Sequence, residues 1–116
     1  MRRLFEKFGY SDDSEFEIEI AVREALSNAI IHGNDQDPQK RVYIACAFSM
    51  DGDVSITIRD EGQGFDVRAV PDPTNQQSLL VNKGRGIHLM QALMDTVNFE
   101  ANGTVVRMRK RLRRAT

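Results

Sequence analysis

The stretch Val42-Tyr-Ile44-Ala-Cys46-Ala-Phe48-Ser-Met50-Asp51-Gly52-Asp-Val54-Ser55-Ile56-Thr57-Ile58-Arg59 decides the fold. Its apolar residues recur at every second position, the period of a strand with one buried face. Val42, Ile44, Cys46, Phe48 and Met50 share one face, and Val54, Ile56 and Ile58 resume the alternation against Ser55, Thr57 and Arg59. Between the two runs stands Asp51-Gly52, a pair suited to the left-handed backbone of a tight turn. The pattern predicts a β-hairpin with the apolar face of both strands in the core, Cys46 included as buried filler.

Upstream the period changes to that of a helix. Ser14 stands three residues before Glu17, the spacing of a capping box, and Phe16, Ile18, Ile20 and Ala21 follow. Ala25, Leu26, Ala29 and Ile30 continue the apolar face until Gly33-Asn34 stops it. Residues 1–10 read as the end of another helix closing at Gly9, and residues 35–40, with Pro38, as a loop. Downstream, Asp60 to Phe65 is glycine-rich and ends the second strand. Residues 66–83 contain Pro71 and Pro73 and show no period, which predicts a long irregular lid. Gly84-Arg85-Gly86 then opens a helix with Ile87, Met90, Leu93, Met94 and Val97 at helical spacing, the two methionines serving as core filler. Residues 97–100 form a strand, Asn102-Gly103 a second hairpin turn, and Thr104, Val106 and Met108 face the core of the last strand. The order predicts an α+β two-layer sandwich, with helices on one face of a mostly antiparallel sheet.

The composition bounds this reading. With 116 residues the chain has room for one domain, 1–116. At 41% hydrophobic and 28% charged it is ordinary globular stock rather than a disordered chain. No run approaches the ~18 apolar residues of a membrane span, and Glu6-Lys7 denies Met1-Arg2-Arg3 the apolar core of a signal peptide. A single cysteine excludes an internal disulfide and points to a reducing cytoplasm. Residues 101–116 hold six of the sixteen bases and none of the seventeen acids, so residues 1–100 carry a balance of −7. The basic tail lacks interleaved aromatics, so a solvated strand edge and fraying terminus is expected rather than a nucleic-acid contact.

Three segments carry chemistry-bearing residues. Glu24 and Asn28, four apart, share a helix face with His32; alone, such a stripe is ordinary solvated surface, and His32 suits the dipole at the helix end. Asp60-Glu61-Gly62-Gln63-Gly64-Phe65 places an acid and two spaced glycines at the end of a buried strand; alone, it is a turn. Gly84-Arg85-Gly86 before a helix suits an anion, but a lone Gly-x-Gly is weak.

In this order, and with Gly103-Thr104 entering the last strand, the segments resemble the GHKL (Bergerat-fold) ATPase and kinase superfamily. Glu24-Ala-Leu-Ser-Asn28-Ala-Ile-Ile-His32-Gly33-Asn34 and Gly86-Ile-His-Leu-Met-Gln-Ala-Leu-Met-Asp95 are most similar to the anti-sigma factor serine/threonine kinases of bacterial partner-switching systems. The likeness runs from about Glu15 to Arg109. That branch usually begins with an edge strand and a longer first helix; with only Met1 to Gly9 before the linker, the strand and half of that helix have no counterpart here.

The resemblance implies roles that the chemistry of each residue suits. Glu24 would be the general base for the attacking hydroxyl. Asn28 would bind Mg²⁺ through its amide oxygen, a hard ligand for a hard cation. Asp60 would accept from the adenine amino group, with the Thr104 hydroxyl nearby, and Gly62 and Gly64 would keep the nucleotide's approach clear. Gly84, Arg85 and Gly86 would present backbone N–H groups and a guanidinium to the phosphates, with Lys83 as a further cation. The function implied is phosphorylation of a serine on an anti-anti-sigma (STAS-type) partner by Mg-ATP, with sequestration of a sigma factor. A cytoplasmic homodimer is expected, with no membrane and no direct nucleic-acid contact. A non-catalytic ATP-binding module and the catalytic domain of a histidine kinase are the alternatives.

Overall fold

The computed structural model describes residues 12–64 and 80–112. Helix α1 (Asp12–Ser27) runs into a π-helical turn (Asn28–Gly33). Strands β1 (Tyr43–Phe48) and β2 (Asp53–Arg59) form the expected hairpin. Helix α2 (Leu80–Leu93), strand β3 (Thr96–Glu100), a short 3₁₀ turn (Ala101–Gly103) and strand β4 (Val105–Arg111) complete the order. The four strands are antiparallel in the order β1-β2-β4-β3.

The core lies between the middle of the sheet and the two helices. Val54, Ile56 and Ile58 of β2 and Val106 and Met108 of β4 meet Ile18, Ala21 and Ala25 of α1 and Ile87 and Met90 of α2. Met90 and Met94 are core residues, as the helical spacing predicted. Full burial of each Ile or Met side chain contributes about 1.5–3 kcal/mol.

Helix α1 begins earlier than its capping box suggested. Ser14 is wholly buried inside the first turns, on the same stripe as Ile18, Ala21 and Ala25, so it packs rather than caps. Small residues at 14, 21 and 25 let α1 lie close to its neighbours.

The apolar face of β1 differs from expectation. Ile44 is 55% exposed, Met50 lies fully in solvent, and Cys46 is exposed rather than buried. Ile44 and Cys46 sit opposite Ile58 and Ile56, so they are on the core side of the sheet. But β1 is its edge, and the helices make their main sheet contacts with β2 and β3. Only Val42 and Phe48 from this face pack against the core.

Two further expectations change. Residues 80–83, read as part of the lid, are helical; residues 66–79 lie outside the described residues, as do the helix end expected at 1–10 and the terminus from Arg113. Lys110 is not a solvated tail residue. Strand alternation carries it to the core face after Val106 and Met108, and it is 7% exposed. Its ammonium donates to the Leu93 carbonyl at the end of α2 (2.6 Å) and pairs with Glu17 of α1 (2.8 Å). A cation there complements the negative end of the helix dipole.

Candidate functional site

Helix α1 and its π turn carry Glu24, Asn28 and His32 to the rim of one cleft of about 650 Å³, with Ser27, Ile31, Asp35, Gln36 and Arg85 as further walls. A π turn is wider than an α turn and often marks a functional segment. It delivers His32 to the last turn of the helix, as expected. On the other side of Asn28 lies a narrower pocket, its void about 20 Å³, lined by Ala25, Ala29, Ile58, Asp60, Met90, Phe99, Gly103, Thr104 and Val106. Asn28 is the one described residue that lines both spaces. Its Nδ2 is buried and has no hydrogen-bond partner among the described residues. A buried unpaired amide costs about 1–3 kcal/mol, so the position suits an external polar ligand.

Asp60 follows β2 directly. Its N–H donates to the Thr104 carbonyl (2.9 Å), tying it to the start of β4, and its Oδ1 accepts from the Gly62 N–H (2.8 Å). The Thr104 hydroxyl donates to the Ala101 carbonyl (2.8 Å). Thr104 stands in the turn before β4 rather than within the strand.

The glycines of this region serve contacts within the chain. A β-carbon on Gly62 would collide with the Gly33 carbonyl, and one on Gly64, whose φ is +85°, with the Asn102 carbonyl. The resemblance assigned both glycines to clearing a path for the nucleotide; in the structure both also stand where the chain packs closely on itself. Gly86 permits the close approach of α2 to α1. A β-carbon there would stand 3.0 Å from Glu24 Oε2 and 3.3 Å from Asn28 Nδ2.

Gly84, Arg85 and Gly86 were expected to precede a helix. Because α2 starts at Leu80, they lie inside it, where each backbone N–H is engaged by the carbonyl four residues back. Gly84 and Gly86 are buried and Arg85 is exposed, so the guanidinium is the free donor of the three. Lys83 lies one residue earlier on the same helix.

The sequence alone missed two supports of the site. Gly33 leaves the space that the Asp60 carboxylate fills. Asn34, 2% exposed, donates to the Arg41 carbonyl (3.0 Å) and accepts from the Glu61 N–H (2.7 Å), fixing the turn after β2 to the end of the first helix. Both residues carried a helix-stop signal and closed the quoted motif without a role of their own, and their partners lie up to 27 residues away. Among the described residues no group of three His, Cys, Asp or Glu could hold a metal ion, and no helix is long and apolar enough to cross a membrane.

Two helices on an antiparallel sheet, with an amide of the first helix and its π turn lining one pocket with an acid at the end of a central strand, define a nucleotide-binding fold of the Bergerat kind. The profile of the histidine kinase-like ATPase domain matches residues 1–110, and the chain belongs to that family. It is similar to proteins named anti-sigma F factor. That of Heyndrickxia coagulans is 38% identical over 96 residues, covering 78% of this chain and 65% of the relative. That of Bacillus subtilis (strain 168) is 36% identical over 105 residues, covering 86% and 71%. The chain thus spans about two thirds of the length of these relatives. Among solved structures, the histidine kinase domain of the Erythrobacter litoralis EL346 blue-light activated histidine kinase superposes with a TM-score of 0.63 at 20% identity, over 86% of this chain and 48% of that one, a likeness of fold.

Proposed function

We propose that this chain is an anti-sigma F factor with protein serine kinase activity. It binds Mg-ATP, phosphorylates a serine on an anti-anti-sigma (STAS-type) partner, and sequesters its sigma factor, acting as a cytoplasmic homodimer. The observation that carries this reading is the position of Asn28 between two spaces of different chemistry. The inner pocket holds an acceptor, Asp60, among apolar walls, as a purine with an amino group requires. The outer cleft holds Glu24 and Arg85, an acid and a cation suited to a reacting hydroxyl and to phosphate.

The roles follow from these positions. Asp60 accepts from the adenine amino group and disfavours guanine, which presents a carbonyl there. The inner void has room for about one water molecule, so its walls part to admit the base. Arg85 meets the phosphates, with Lys83 and the segment Gly84–Gly86 beside it. Glu24 takes the proton of the acceptor hydroxyl. Asn28 would hold Mg²⁺ through its amide oxygen, a hard ligand for a hard cation, and the ion would supply charge neutralisation when bound.

The test is titration of ATP with and without Mg²⁺, followed by addition of anti-anti-sigma proteins and detection of phosphoserine. Glu24→Gln leaves Mg-ATP affinity within a few-fold and lowers transfer by roughly 10²–10⁴. Asn28→Ala weakens Mg-ATP binding itself. A wild-type chain that binds ATP but transfers phosphate to no partner is a binding module instead.

A further inference from the structure

Three hydrogen bonds close a ring beside Asp60. The Asn34 amide donates to the Arg41 carbonyl (3.0 Å), the Arg41 N–H donates to one Glu61 carboxylate oxygen, and the Glu61 N–H donates back to Asn34 Oδ1 (2.7 Å). Each residue donates once and accepts once, so the bonds run in one sense around the ring and polarise one another. The Tyr43 hydroxyl reaches the second Glu61 oxygen (3.4 Å). Asn34 is 2% exposed, so its part of the ring is shielded from water. A side-chain amide serves both of its neighbours, whereas a carboxylate has no donor for the Arg41 carbonyl.

The ring joins three separate pieces of chain: the end of the π turn, the stretch that leads into β1, and the turn after β2. Asp60 stands where they meet. On the sheet side its N–H is held by the Thr104 carbonyl (2.9 Å), just past the Arg59–Val105 pair of β2 and β4. On the helix side the next peptide N–H, that of Glu61, is held by Asn34. The peptides on either side of the Asp60 Cα are thus both anchored. That fixes the direction in which its carboxylate leaves the backbone, into the notch above Gly33.

We infer that this ring sets base selection: Asn34, backed by Glu61, holds the Asp60 carboxylate at the angle that accepts from the adenine amino group. The inference rests on the assignment of Asp60 to that group and adds the residues that make the contact selective. Hydrogen bonds weaken steeply as their alignment is lost. An Asp60 free to swing therefore accepts less well from adenine and opposes the guanine carbonyl less firmly. Asn34 and Glu61 line neither the inner pocket nor the outer cleft; they are positioning residues that act through Asp60.

The experiment is calorimetric titration of the full chain with Mg-ATP and Mg-GTP in parallel. Asn34→Ala weakens Mg-ATP binding about 5- to 30-fold and Mg-GTP binding no more than about twofold, within the range of one lost buried hydrogen bond. Glu61 is exposed, and its variants keep the fold if Asn34→Ala does not. Glu61→Ala lowers the preference for ATP about 2- to 5-fold. Glu61→Gln, whose amide oxygen still accepts from the Arg41 N–H, keeps the preference within about twofold of the wild-type value. Parallel weakening of both nucleotides in Asn34→Ala and Glu61→Ala, or no change in either, overturns the ring as a selector while the ATP-binding reading stands. A loss in Glu61→Gln as large as in Glu61→Ala also overturns it, because charge and not the ring is then at work. A wild-type chain without preference between the two nucleotides overturns the assignment of Asp60 itself, and the inference with it.

Discussion

The Asp60 carboxylate occupies the space that a side chain at Gly33 would fill. A β-carbon at position 33 would collide with both carboxylate oxygens, so the residue ending the first helix and the residue assigned to adenine cannot be chosen independently.

Gly33→Ala therefore turns Asp60 away without touching any nucleotide contact directly. Loss of one buried hydrogen bond costs about 1–3 kcal/mol, or ~5- to 150-fold in affinity. Calorimetry is expected to show ATP binding weakened within that range and discrimination against GTP largely lost. Unchanged preference for ATP would mean that Asp60 does not read the base.

Lys110 joins three elements through one ammonium group, by its bonds to Leu93 of α2 and Glu17 of α1. Lys110→Ala removes a buried cation from a carbonyl and a carboxylate and leaves a cavity. Glu17 keeps partial access to water, its side chain being 25% exposed, so the expected loss is about 1–3 kcal/mol rather than that of a fully buried pair. Lys110→Met, which keeps the volume, costs less. Urea denaturation measures both, and equal losses in the two variants would assign the effect to the lost ammonium contacts rather than to packing.

The turn between β3 and β4 passes through three left-handed residues: Ala101 at φ 51°, Asn102 at 58° and Gly103 at 86°. A left-handed conformation costs an L-residue such as alanine about 1–2 kcal/mol, part of which Ala101→Gly recovers after the greater unfolded-state entropy of glycine is offset. A gain of about 0.5 kcal/mol is expected, read as a rise in Tm. Gly103→Ala should lower Tm, and a rise there would contradict the assigned turn.

Partial burial pushes the Cys46 thiol above its ordinary pKa. The neutral thiol is then favoured in the folded chain. That contribution to stability is complete below the usual thiol pKa and is lost as pH rises through the raised one. Alkylation by iodoacetamide should therefore reach its half-maximal rate at a higher pH in the folded than in the unfolded chain. A midpoint at or below the unfolded value would overturn this.

What was legible in the sequence is what repeats at short range. The 41–59 hairpin and the stripe of Ile18, Ala21 and Ala25 declared themselves through period alone. So did the place of Met90 and Met94. Glu24 and Asn28 could be put on one face because a helix fixes that by spacing. What escaped depends on partners distant in the chain. Burial of Ile44 and Cys46 is set by which strands the helices cover, and alternation cannot say which strand becomes the edge. Gly62 and Gly64 look the same whether a ligand or a carbonyl approaches them. The start of α2 at Leu80 was hidden because Gly84 and Gly86 read as breakers, whereas Gly86 lets the two packed helices approach closely.

The π turn from Asn28 to Gly33 makes the winding of the chain itself part of the site. Each residue of an ordinary helix advances about 100° and each residue of the wider π turn less, so the same six residues in α winding would rotate Gly33 out from beneath Asp60. Substitutions among Ala29, Ile30 and Ile31 that keep the π turn alter surfaces; a change of winding there separates the two halves of the pocket.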